Sequence, residues 1–253
     1  MHPTSETLPP SIAHLRTVAT PATDHRVIAF GIPGLDSSLG SGGLRAGALH
    51  EVTARTCALV DDAAATLFLA GIAAREAKII SGPVLWASCR NDLYAPGLEQ
   101  AGLTAADVIF AQPPDDAALL AVVEDAMRDG TPSVIVAEAT RVSMVATRRL
   151  QLVAADADMT VLLLRRRRSR EQDPLSEPSA AWTRWRIASA SSERLSVAGV
   201  GRPRWSVELA RQRGGEPFSL IVEGCDETGR LAVPAALGHR AAETAGTVRT
   251  AAA

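Results

Sequence analysis

Ile32-Pro-Gly-Leu-Asp-Ser-Ser-Leu-Gly-Ser-Gly-Gly-Leu-Arg-Ala-Gly-Ala-Leu-His-Glu-Val52 is a glycine-rich approach that runs into a short apolar strand, expected over Ala48–Thr53. In nucleotide-binding α/β proteins such an approach leads to G-x-x-x-x-G-K-[ST]. The loop amides of that motif cradle phosphate, its Lys neutralises charge and its hydroxyl holds magnesium. Here the strand is followed by Ala54-Arg-Thr-Cys-Ala-Leu-Val-Asp-Asp-Ala-Ala-Ala-Thr66, with neither glycine nor lysine. Residues with a Cβ resist the left-handed conformations of a phosphate-wrapping loop, and Asp61 and Asp62 would sit near a triphosphate at an electrostatic cost. Productive ATP binding is not expected at this loop.

Downstream, helical patterns over Ala63–Lys78, Leu98–Ala101, Asp115–Arg128 and Met144–Ala155 alternate with apolar strands at Pro83–Ala87, Val108–Ala111, Ser133–Ala137 and Met159–Leu164. Continuous apolar strands alternating with helices predict a mainly parallel sheet covered on both faces, an α/β core over 27–168. Glu171–Ala181, with Pro174 and Pro178, reads as a linker or loop within 169–181. Thr183–Ala188, Arg204–Ala210 and Phe218–Glu223 are short alternating segments bounded by turn residues, and predict an antiparallel β appendage over 182–240. A partly disordered leader, 1–26, and a disordered tail, 241–253, are expected at the ends.

A chain of 253 residues at 47% hydrophobic can bury a substantial core. No apolar run approaches the roughly 20 residues that span a bilayer, and Met1–Pro10 lacks the basic and apolar regions of a signal peptide, so a cytoplasmic protein is expected. Cys57, Cys89 and Cys225 match no paired metal spacing, the five histidines are scattered, and no metal site is legible.

The net charge of −2 conceals a basic stretch. From Arg141 to Arg213, 15 Arg/Lys stand against 7 Asp/Glu, a local +8. Its densest part is Arg165, Arg166, Arg167, Arg168 and Arg170, directly after an apolar strand. One reading is a solvated strand exit balanced by Glu171, Asp173 and Glu177. The other is contact with the phosphates of single-stranded DNA or with an acidic protein surface. Without interleaved aromatics, base-specific recognition is not indicated. Trp185 and Trp205 accompany Arg186, Arg204, Arg211 and Arg213, residue types enriched in interface hot spots, so these are candidate partner-binding residues. The plainer alternative is that the tryptophans fill the core of the small sheet.

Gly31–Val52 resembles the segment leading into the phosphate loop of bacterial RecA. Val84–Ser88 followed by Asp92, Val108–Pro113 and Val134–Glu138 occur in RecA-like order, a likeness covering about Ile28 to Arg168. Taken whole, with its Trp-Arg-Ile at 185–187 and Arg-Trp-Ser-Val-Glu-Leu-Ala-Arg-Gln-Arg-Gly-Gly at 204–215, the chain more closely resembles the ImuA family. These are RecA-like accessory proteins of damage-induced (SOS) bacterial mutagenesis, once described as SulA-like. The resemblance implies error-prone translesion DNA synthesis in the company of ImuB, of an error-prone C-family polymerase reached through ImuB, and of RecA.

Departures from RecA are informative. Glu138 holds the end-of-strand position of a magnesium-associated Asp, Ser88 or Cys89 stands where the water-activating Glu would be, and Arg165 replaces the nucleotide-sensing Gln. Loss of cradle, lysine, base and sensor together implies a non-catalytic protein with no cofactor, in which Gly31, Gly34, Gly40, Gly42, Gly43 and Gly47 serve turns and close packing. Two alternatives stand beside this: a divergent ATP-dependent, recombinase-like DNA-binding protein that recruits a cation such as Arg55, and a SulA-like inhibitor of cell division.

Overall fold

A computed structural model describes residues 25–167, 169–192, 199 and 201–234. The leader up to residue 24, Arg168 and everything from 235, including the expected tail, lie outside the described residues. In chain order the elements are β1 (Val27–Ile28), α1 (Pro33–Ser38), β2 (Leu44–Arg45), β3 (Leu49–Ala54), α2 (Leu59–Ile80), β4 (Val84–Ser88), α3 (Ala95–Gln100), β5 (Val108–Ala111), α4 (Asp116–Asp129), β6 (Val134–Ala139), α5 (Met144–Asp156), β7 (Thr160–Arg165), β8 (Thr183–Ala190), β9 (Arg204–Gln212) and β10 (Phe218–Glu223).

Eight strands form one sheet in the order β10-β9-β8-β3-β7-β6-β4-β5, while β1 and β2 make a separate antiparallel pair. All pairings from β8 to β5 are parallel, and β9 and β10 continue the sheet antiparallel. The mainly parallel, helix-flanked core and the antiparallel C-terminal strands match the sequence expectation. The placement of β8 differs: it is parallel to β3 and hydrogen-bonded to it, so the C-terminal strands extend the core sheet instead of standing beside it.

The strands β3, β4, β6 and β7 are buried throughout, as continuous apolar runs require when both faces are covered. On one face Phe68, Leu69 and Ile72 of α2 pack on Val52, Trp86, Val136, Leu162 and Trp185. On the other, Leu119, Val123 and Met127 of α4 and Leu150 and Ala154 of α5 pack on Leu49, Leu85, Ile135, Val161 and Leu163. Helix starts are locally encoded: the Asp115 and Ser143 side chains accept from Ala118 N at 2.8 Å and Ala146 N at 3.2 Å. Gly47 takes φ +62, and a Cβ there would strike the Asp158 side chain, so the turn into β3 needs glycine twice over.

His50, on β3, is 1% exposed and lies between Thr183 Oγ1 at 2.7 Å from Nδ1 and Arg45 O at 2.8 Å from Nε2. Burial pushes its pKa down from 6.5 to about 4. Between those values the unfolded chain binds the extra proton. The stability His50 contributes is therefore complete above about pH 6.5 and is lost as pH falls toward 4, on the order of 2 kcal/mol by pH 5. Urea midpoints at pH 7.5 and pH 5 should separate more for the wild type than for His50→Gln. Equal separations would remove His50 as the titrating group.

Candidate nucleotide site

In an open parallel sheet, ligands bind beyond the carboxyl ends of the strands. At that edge the chain leaves β3 at Ala54, turns through Arg55–Ala58 and enters α2, whose N-cap Ala58 makes no side-chain cap. Thr56 Oγ1 donates to Asp61 Oδ2 at 2.6 Å and accepts from Ala58 N at 3.1 Å. The other Asp61 oxygen accepts from Ser189 N at 2.8 Å. The turn is thus closed on its own side chains and tied to β8.

Glu138 lies at the end of β6 and is 4% exposed. Its Oε1 accepts from Trp86 Nε1 at 2.6 Å. Its Oε2 accepts from Ser88 Oγ at 3.2 Å and from Arg166 Nε and Nη2 at 3.1 and 2.7 Å. Arg166 Nη1 also pairs with Asp62 on the first turn of α2. One guanidinium therefore bridges the end of β6 and the start of α2. Burial alone would depress the Arg166 pKa, but the carboxylates of Glu138 and Asp62 hold it above its ordinary value. Ser88 is committed to Glu138 and to Arg90 N, and the half-buried Cys89 thiol is pushed up by burial and by the nearby Asp116, Asp115 and Glu138. Among the described residues no cluster of three His, Cys, Asp or Glu could hold a metal ion, and no helix is long and apolar enough to cross a membrane.

The first three arginines of the run, Arg165, Arg166 and Arg167, turn into the fold. Arg165, the last residue of a central strand, is 0% exposed and pairs with Glu51 at 3.2 Å and Glu177 at 2.7 Å. Arg167 donates to Ala54 O at 3.0 Å and Gln172 O at 3.2 Å and pairs with Asp173 at 3.3 Å. Arg170 is exposed; Arg168 is outside the described residues. The sequence expectation of a phosphate-facing cluster is corrected for Arg165, Arg166 and Arg167. At and just beyond the end of β7, Arg165 and Arg166 meet the buried carboxylates of Glu51 and Glu138, which a cation taken out of water requires, and Arg167 meets the half-buried Asp173.

Trp185 and Trp205 are 1% and 3% exposed, so the expected interface anchors are core residues. Trp185 meets Phe30 and Phe68 at 5.9 Å and Phe218 edge-on at 6.1 Å between centroids, with Nε1 donating to Thr183 Oγ1 at 2.7 Å. Arg186 pairs with Asp173 and Glu208, both at 2.6 Å, and Arg204 stands opposite Glu223 in the β9–β10 ladder. Arg211 and Arg213 reach solvent and donate to backbone carbonyls. The sequence reading missed Glu51, which accepts from Arg165, Arg184 and Ser179; an acid inside the buried run Leu49–Ala54 was the available signal.

No protein-family model matches the chain. Among solved structures it is similar to the RadB recombinase, with a TM-score of 0.55 at 16% identity, covering 82% of this chain and 99% of that one. Protein ImuA of Caulobacter vibrioides strain NA1000 / CB15N is 37% identical over 202 residues, 78% of this chain and 83% of the relative. The same protein from strain ATCC 19089 / CIP 103742 / CB 15 gives the same figures. With the RecA-like sheet and this extent of identity together, the chain belongs to the ImuA family.

Proposed function

We propose that this protein is a non-catalytic RecA-like accessory factor of DNA-damage tolerance, acting in error-prone translesion synthesis by holding ImuB and, through it, an error-prone C-family polymerase. RecA, with which it shares a fold class, is a further partner in this reading. The observation that carries the non-catalytic half is Arg166. Its guanidinium occupies both Glu138 and Asp62, and with Trp86 and Ser88 it leaves Glu138 fully engaged. These residues do not fit a magnesium–triphosphate group: the cation would have to compete with a guanidinium for Glu138, beside a loop that lacks glycine and lysine. Family membership supports the other half.

Purified protein should show no ATP turnover above background and no saturable heat on titration with magnesium–ATP. Hydrolysis that disappears in Glu138→Gln would overturn the non-catalytic reading. For the partner half, co-expressed ImuB should co-purify with the full chain, and its absence from the eluate would remove ImuB as the direct partner.

A further inference from the structure

Within the basic stretch Arg165, Arg166, Arg167, Arg184 and Arg186 are paired with carboxylates, while Arg141, Arg148 and Arg170 are exposed at scattered positions. Two more of its arginines, Arg211 and Arg213, converge with Arg45 from outside the stretch. Arg45 on β2 lies over the Trp182 ring at 4.0 Å, and Arg213 lies over the same ring at 5.2 Å. Arg211, two residues before Arg213, reaches Ser179 O at 3.0 Å and Ala181 O at 2.7 Å, and Arg213 reaches Ala180 O at 2.9 Å. No ion pair among the described residues includes Arg45, Arg211 or Arg213. Their recorded partners are carbonyls, an indole and, for Arg45 Nη2, His25 Nε2 at 2.6 Å. Arg45 Nε is buried with no hydrogen-bond partner. The acids whose charge acts on Arg45 and Arg211 are Asp158 and Glu51 respectively, and Glu51 is already shared by Arg165 and Arg184. Arg45 and Arg211 are both held below their ordinary pKa, first by burial and then by neighbouring arginines, as expected for surplus positive charge.

The backbone fixes this group. Trp182 N donates to Leu49 O at 2.7 Å and Trp182 O accepts from Arg213 N at 3.0 Å, so the indole stands where β3 and β8 begin. Glu138 lies toward the other end of the strands, level with Val52 by register, three residues or about 10 Å along the strand direction from Leu49.

We propose that Arg45, Arg211 and Arg213, arranged around Trp182, form a binding site for phosphate groups, either of a single-stranded nucleic-acid backbone or free in solution. Guanidinium forks match phosphate oxygens and supply charge-assisted bonds that carbonyl partners do not. With guanidinia over the indole, the ring is not presented for base stacking, so contact runs through the backbone and carries no sequence preference. An acidic protein segment is the less suitable occupant. Protein interfaces need apolar anchors, and none of the exposed large apolar side chains belongs to this cluster.

The test uses the full chain, fluorescein-labelled oligo(dT) and anisotropy at several salt concentrations. Wild type should bind with a salt-dependent affinity. Arg45→Gln/Arg213→Gln should weaken it about tenfold and lower the logarithmic salt slope by roughly 1.4, two contacts at about 0.7 each. The exposed single variant Arg213→Glu guards against a fold defect in the double variant and should lose at least as much per residue, with an unchanged melting temperature. Arg170→Gln, outside the cluster, should bind as wild type. Displacement of the oligonucleotide by millimolar inorganic phosphate assigns the site to a single phosphate group; persistence of the complex assigns it to a backbone track. No binding by wild type, wild-type affinity in both cluster variants, or equal competition by poly-glutamate at matched charge would each overturn the proposal.

Discussion

Replacing Glu51 with Ala is expected to lower the free energy of unfolding by about 3–5 kcal/mol, the range for breaking a buried charge network by removing one partner. Glu51 is 0% exposed and takes three donors: Arg165 Nη1 at 3.2 Å, Ser179 Oγ at 2.8 Å and Arg184 Nε at 2.7 Å. Without it, two buried guanidinia share what is left. Arg165 keeps Glu177, and Arg184 keeps the carbonyls of Leu175 and Pro174, neither of which carries a full negative charge. Glu51→Gln, which keeps the shape and one acceptor, should fall between Ala and wild type. An exposed pair provides the contrast: removing Asp125, 81% exposed beside Arg128, should cost no more than about 0.5 kcal/mol. Urea midpoints at unchanged slope read all three. A Glu51→Ala loss no larger than that of the Asp125 variant would mean that Glu177 and solvent suffice for both arginines.

This network also marks the boundary of what the sequence could reveal. The order of helices and strands was legible because β3, β4, β6 and β7 are apolar along their length, a pattern that only a doubly covered sheet requires. The missing phosphate loop was legible because it depends on residue types at fixed spacing. The direction in which Arg165, Arg166 and Arg167 point was not. The nearby acids Glu177 and Asp173, named in the solvated-exit reading, do pair with Arg165 and Arg167, but the other carboxylates lie 114 residues away for Glu51, 104 for Asp62 and 28 for Glu138, and no local pattern joins positions that far apart. Strand order was equally hidden. The alternation in β9 marks a half-covered strand, yet nothing local places β8 against β3, because that pairing depends on how the chain crosses the sheet. The tryptophans followed from the same omission: once β8 is an interior strand, Trp185 must face α2. A convergence of arginines appeared at Trp182, where Arg45 of β2 and Arg213, just after β9, meet over one indole across the fold.

A chain ending at Arg170 is expected not to fold, although the composition break near that residue suggests a separable core. Such a chain lacks β8–β10. Residues His50 to Ala54 of β3 pair directly with Thr183 to Ile187 of β8, so the truncation would turn an interior parallel strand into an open edge. It would also strip the sheet from beneath α2. Trp185, Ile187, Val207, Leu209 and Val222, all under 2% exposed, pack in the same cluster as Phe68 and Leu69. At about 1.5–3 kcal/mol for each fully buried side chain, these five alone represent roughly 8–15 kcal/mol, comparable to the whole stability of an ordinary domain. Glu177, Ser179 and Arg184 leave as well, and Arg165 and Glu51 would then face each other with their remaining bonds unfilled. Far-UV circular dichroism with a thermal scan should therefore show no cooperative transition for the truncated chain, and limited proteolysis should degrade it without a stable fragment. A cooperative melt would establish that the first seven strands stand alone and that β8–β10 are an addition after all. Because loss of folding would abolish partner binding indirectly, the proposed interaction with ImuB has to be tested with substitutions at exposed positions of the intact chain. Arg170 on the loop after β7 and Val145 and Leu152 on the outer face of α5 satisfy that condition.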